Sequence, residues 1–236
     1  MALAGKRPAR GFRGTLQVSD IFQEVDEEVR REQLRKMWER YGKYIIGACV
    51  LVVVAVGGWR FYEWNEAKKA AEAGAQFEAA IALVNEGKNK EAEEAFAKIA
   101  TGGGATSSYR MLAKFREAGE LARRDPKAAV EIYDQLAADS GNGRVLQDLA
   151  AVRAGTVLVD TAPYSDIRQR LEPLTAQDRA FRHSARSALA LSAWKANDAT
   201  AMRRWTDMIL ADPETPPGTR GQIQMLLALS DPDKKS

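Results

Sequence analysis

The sequence predicts an all-α protein in which a single apolar helix near the N-terminus precedes an array of helix hairpins. Three observations carry this. Residues 44–59 form a run of sixteen uncharged, mostly apolar side chains. From Glu66 onward, Ala-rich amphipathic runs are separated by turn-forming clusters, without the sustained alternation that marks strands. In that region a triplet of packing residues recurs four times, its starts 34 to 38 residues apart.

Composition narrows the classes. The 236 residues include one Cys, which excludes a disulfide framework and a Cys-rich metal site. Eighteen Gly and eight Pro without a period exclude collagen-like and low-complexity chains. Mean hydropathy is −0.37 and the formal charge is +3, but neither is evenly spread. Residues 1–43 carry ten Lys/Arg and seven Asp/Glu, whereas residues 65–236 carry 24 of each. The whole basic excess therefore precedes residue 44.

Four segments follow from this distribution. Residues 1–19 mix Gly, Pro and Arg and are expected to be a disordered basic arm. Asp20 and Gln23 form a weak capping box, and Phe22, Val25, Val29, Met37 and Tyr41 recur at helical spacing, so 20–43 is expected to be an amphipathic juxtamembrane helix. It either simply feeds the span or binds a partner. Residues 44–64 are expected to be a transmembrane helix, and residues 65–236 an outer helical domain.

The span begins at Tyr44 and reads to Trp64. Twenty-one helical residues rise about 31 Å, enough for a hydrocarbon core of about 30 Å if Arg60 and Glu63 snorkel to the headgroups. Tyr44 at one end and Trp59, Arg60, Tyr62 and Trp64 at the other are the expected membrane-interface anchors. Arg30, Arg31, Arg35, Lys36, Arg40 and Lys43 flank the N-terminal side, against Arg60, Lys68 and Lys69 on the other. That asymmetry keeps the N-terminus inside and exports the C-terminal bulk. In a bacterium the chain is then a single-pass inner-membrane protein with a cytoplasmic N-terminus and a periplasmic domain. A cleaved signal peptide would place its apolar stretch earlier and end it in small residues. Ile46-Gly-Ala-Cys49 superficially resembles a lipoprotein box, but seven more apolar residues follow Cys49.

Breakers divide the outer domain at 86–88, 101–104, 125–126, 140–143, 162–163, 197–198 and 213–218. Between them the triplets are Ala92, Phe96, Ile99; Ala129, Tyr133, Leu136; Ile167, Leu171, Leu174; and Ala201, Trp205, Met208. A small residue, then a large one, then an apolar one at a period near 34 describes the second helix of a tetratricopeptide (TPR) hairpin. Helical segments at 77–84, 111–121, 146–158 and 185–194 supply the first helices. The fold expected is a TPR-like α-solenoid of about four helix hairpins, with 222–229 as a terminal capping helix. A generic helical bundle is the alternative that lacks the regular spacing.

The span ending Gly-Gly-Trp-Arg-Phe-Tyr-Glu-Trp at 57–64, the Ala-rich helix starting near Glu66 and the degenerate repeat array together resemble the YfgM-like family. These are ancillary TPR-like subunits of the bacterial Sec translocon, and the resemblance covers roughly residues 20–236. It implies association with the translocon and with a membrane-anchored prolyl isomerase or another periplasmic chaperone, helping secreted clients fold. The Arg-rich residues 1–18 depart from the family pattern.

No catalytic constellation is expected. His183 is the only His and cannot complete a metal set without a second ligand of its kind or a nearby Cys. Thr101-Gly-Gly-Gly lacks the Gly-Lys-Ser/Thr of a phosphate loop. No cofactor and no nucleic acid is implied, and the partners are a lipid bilayer and proteins. The alternative function is a TPR scaffold for an envelope or cell-division assembly. Topology has a direct check: protease added to whole cells should spare residues 65–236, and the same protease added to spheroplasts should digest them.

Overall fold

The structure, a computed structural model, describes residues 16–230, with side chains described from residue 30 onward. Most of the arm assigned to 1–19 and the side chains of the 20–23 capping box lie outside the described residues. The chain divides into two units, Met1–Trp64 and Asn65–Ser236.

Helix α1 (Leu16–Asn85) supplies the first unit and runs on into the second. It departs from two sequence expectations. It begins at Leu16, so residues 16–19 are helical rather than disordered, since no Gly or Pro stands between Gly14 and Gly42 to stop it. Nor does a new helix begin near Glu66, because the stretch from Trp59 to Ala73 also lacks a breaker. Every residue from Lys43 to Trp64 is exposed. An uncovered apolar run of that length has no stable place in water and suits a hydrocarbon layer.

In the second unit, the end of α1 pairs with α2 (Asn89–Thr101), followed by the hairpins α3 (Ser107–Leu121)/α4 (Pro126–Ala138), α5 (Gly143–Leu158)/α6 (Tyr164–Leu171) and α7 (Arg182–Lys195)/α8 (Ala199–Ala211). Helix α9 (Pro217–Ser230) closes the array. Among the described residues there is no strand. Turn chemistry sets the hairpins. Gly87 and Asn197 adopt left-handed φ of 76° and 56°, and the amide after each donates to a carbonyl five residues back, which ends α1 and α7. Asp125 and Asp198 then cap α4 and α8, accepting from Ala128 N at 3.0 Å and Ala201 N at 2.9 Å.

The first two triplets are buried throughout: Ala92, Phe96, Ile99 and Ala129, Tyr133, Leu136. Phe77 meets Phe96 edge-on with ring centroids 5.2 Å apart. In the third, Ile167 and Leu171 are fully buried, but Leu174 falls in a 3-10 turn, Glu172–Leu174, because Pro173 ends α6 early. Here the small residue has moved to the partner helix: a Cβ at Gly155 of α5 would lie 2.6 Å from Leu171 Cδ2. In the fourth, Trp205 is fully buried, whereas Ala201 and Met208 are half-buried and Met202 and Ile209 take the deepest positions. The Trp205 indole N–H donates to Tyr164 Oη at 2.8 Å.

The core is divided into three clusters. One joins α1, α2 and α3 around Phe96, and a second joins α3, α4 and α5 around Tyr133. The third and largest joins α5 through α9 around Trp205 and Leu189. Trp205→Ala should lower unfolding free energy by about 3–5 kcal/mol through the cavity it leaves. Gly155→Val should cost about 1–3 kcal/mol by pressing on a fully buried Leu171. Denaturant midpoints of the two variants and the unaltered chain measure both.

Candidate functional site

The second unit offers a groove of about 770 Å³ lined by α5, α7 and α9. These are the first helices of successive hairpins plus the closing helix. Val152 and Ala188 form its floor, Leu191 its wall, and Met225 and Leu229 its rim. Exposure rises from floor to rim: Leu191 is 38% exposed, Leu229 57% and Met225 66%. The lining is mainly apolar with hydroxyl and amide groups, and its charges are Arg153 and Asp160. The Asp160 carboxylate is paired with Lys195. Such a surface accepts an apolar or mixed polypeptide segment in preference to a polyanion.

The closing helix departs from expectation. Ile223 and Leu226 are buried, as a cap requires, but Met225 and Leu229 leave an apolar edge open to solvent. A terminal helix that only sealed the array would turn a polar face outward.

An arginine clasp fixes where α9 begins. Arg182 Nε donates to Asp212 Oδ2 at 2.9 Å and its NH2 group donates to Glu214. Arg186 NH1 donates to Asp212 Oδ2 at 3.0 Å, and its Nε and NH2 donate to Thr175 O at 3.2 and 2.8 Å. Arg220 holds Leu210 O and Asp212 O at 3.0 and 2.8 Å. The two guanidiniums beside Asp212, with the Glu214 amide, hold its carboxyl far below the usual carboxylate range.

His183 sits at the edge of this clasp. Thr215 Oγ1 donates its proton to Ile209 O at 2.7 Å, so at 3.1 Å it accepts from His183 Nδ1–H. Burial, then the Arg182 cation, pushes the imidazole pKa down, so the ring is neutral at pH 7. The Thr215 hydroxyl is buried and its proton is committed to a carbonyl, and Asp212 approaches the same ring nitrogen as Thr215. This arrangement fastens a turn and does not activate a nucleophile.

Ion pairs between hairpins repeat the period of the array. Glu93 pairs with Arg124, Asp134 with Arg170, Asp148 with Arg179, Asp160 with Lys195, and Glu172 with Arg204, at separations of 31, 36, 31, 35 and 32 residues. The expected interface anchors Tyr44, Trp59, Arg60, Tyr62 and Trp64 are all exposed in the first unit. Arg60 pairs with Glu63 at 3.3 Å. The clasp and the groove lining were not singled out by sequence reasoning. Their one sequence signal is the acid–base spacing of about one repeat.

Antiparallel hairpins that pack at the repeat period, preceded by one helix long and apolar enough to cross a membrane, define a helical-repeat protein with a candidate span. The chain belongs to the tetratricopeptide repeat-like domain family, whose pattern matches residues 35–189 and so includes the apolar run of α1. It is similar to the ancillary SecYEG translocon subunit of Haemophilus influenzae, at 27% identity over 133 residues, or 56% of this chain. The match spans 64% of that relative's length. No solved structure matches the chain.

The clasp makes stability depend on pH with a definite sign. His183 titrates below its ordinary value of 6.5 when folded, so the unfolded chain binds the extra proton between those two values. Stability therefore falls as pH drops through that window, by at most about 1.4 kcal/mol per pH unit for one group. The Asp212 contribution is fully present above its unfolded value near 3.8 and is lost as pH falls further. Thermal melts from pH 8 to 5 should show a decline below about 6.5 that flattens in His183→Gln.

Proposed function

We propose that the chain is an ancillary subunit of the bacterial Sec translocon: a single-pass inner-membrane protein with a cytoplasmic N-terminus and a periplasmic interaction domain at residues 65–236. Its groove would hold exposed segments of secreted clients, working with periplasmic chaperones, among them a membrane-anchored prolyl isomerase. The observation that carries this reading is the apolar rim of Met225 and Leu229, left open on the helix that should seal the array. The similarity to the Haemophilus influenzae translocon subunit supports the choice of assembly. The basic flank on the N-terminal side of the apolar run supports the orientation. Tethering by one helix confines the groove to the layer of space next to the membrane. It thereby raises the groove's effective concentration at a membrane partner toward the millimolar range without any added contact.

A photocrosslinking residue in place of Leu191, with mass spectrometry of the captured proteins in cells, tests the proposal. Translocon subunits, periplasmic chaperones or exported clients are the expected captures. Recovery of cell-division or peptidoglycan proteins in their place would overturn it in favour of an envelope scaffold. Met225→Glu combined with Leu229→Glu should cut capture by roughly tenfold or more, since two carboxylates on the rim would have to be desolvated against an apolar segment without a partner. Both side chains are exposed, so the melting temperature should hold.

A further inference from the structure

The cations below the apolar run carry a chemistry beyond the setting of orientation. Residues 30–43 hold six basic side chains and two carboxylates. Both carboxylates are engaged: Arg35 holds Glu39 at 3.1 Å and Lys36 lies 3.6 Å from Glu32. Among the described residues, Arg40 and Lys43 have no carboxylate partner. They lie instead over the rings of Tyr41 and Tyr44, at 5.8 and 5.3 Å from the centroids.

Lys36, Arg40 and Lys43 follow one another at i, i+4 and i+7, which places them in one row along α1. Leu34, Met37, Trp38 and Tyr41 form a second row on another side of the helix and are 49–60% exposed. This second row continues the apolar surface of the run that starts at Tyr44. Measured along the helix axis, Lys43 and Arg40 lie about 2 and 6 Å before Tyr44, inside a headgroup layer roughly 5–8 Å deep. Lys36 lies about 12 Å before it, within a Debye length of that layer.

We propose that this row is a binding site for acidic phospholipid headgroups. Arg40 offers a planar fork to the phosphodiester, and Lys43 and Lys36 add point charges on either side of it. The Tyr41 ring, about 4.5 Å before Tyr44, lies within the headgroup layer, and Trp38, about 9 Å before it, lies at that layer's outer edge, so the amphipathic rings hold the cations beside the headgroups and not free in solution. The occupant is the acidic leaflet itself, since an excess of unpaired cations beside amphipathic rings complements an anionic surface. This inference rests on the reading of 44–64 as a bilayer span.

The test uses the full chain reconstituted in phosphatidylcholine vesicles. Brominated phosphatidylglycerol or brominated phosphatidylcholine is added at equal mole fraction, and quenching of tryptophan emission is compared. The expected result is a roughly fivefold or greater preference for the acidic lipid, reduced by 0.5 M salt. The triple variant Lys36→Gln, Arg40→Gln, Lys43→Gln should lose that preference while keeping the melting profile of the unaltered chain. Equal quenching by the two lipids in the unaltered chain overturns the proposal, as does a preference that survives in the triple variant. Flotation with pure phosphatidylcholine vesicles separates the two readings. A chain that fails to float removes the span and this site together, whereas one that floats but quenches equally removes this site alone.

Discussion

Two helices share a core only when their axes come within about 8–10 Å, and side-chain size at the crossing decides whether they can. In this chain that approach is set by alanine and glycine. Ala92 and Ala129 lie fully buried where their hairpins close, and at α5/α6 the same purpose is served by Gly155 against Leu171. A large residue, Phe96, Tyr133 or Trp205, fills the space that opens beside each close contact. Because each hairpin buries only one face in its own partner helix, the other must be covered by the next hairpin, and the array propagates in one direction. The groove along α5, α7 and α9 follows from that stacking.

Charge reinforces the stacking without driving it. The inter-hairpin pairs are mostly exposed and individually weak, and their value is in the register they favour between neighbours. The pairs at Asp212 differ because both guanidiniums and the carboxylate are buried. Replacing such a group by an apolar one of similar size can be neutral, but removing one partner leaves an uncompensated charge. Placed at the α8–α9 turn, this polar cluster positions the helix that carries the rim of the groove.

The hydrophobic pattern was legible because its causes are local. An uncharged run of sixteen residues, Gly87 and Asn197 at left-handed turns, and Asp125 and Asp198 at caps each act within a few residues. The first two triplets were readable for the same reason. In the third, Leu174 is still buried in the core although Pro173 has ended the helix before it, and in the fourth Ala201 and Met208 pack against the same core at less depth than Met202 and Ile209. The groove and the clasp were not legible, since they depend on side chains from three or four helices whose approach no local pattern specifies. Arg182 and Arg186 look in sequence like any pair of solvated helix cations, and only the arrival of Asp212 thirty residues later makes them buried.

The division of the core into three clusters has a mechanical consequence. The clusters touch through shared helices, α3 between the first two and α5 between the last two, so the array can open in parts and not only as a whole. The largest cluster lies under the groove and includes the closing helix. With fewer buried contacts to lose, the two smaller clusters are the parts expected to open at lower free energy. The groove is thus built on the segment with the most extensive core.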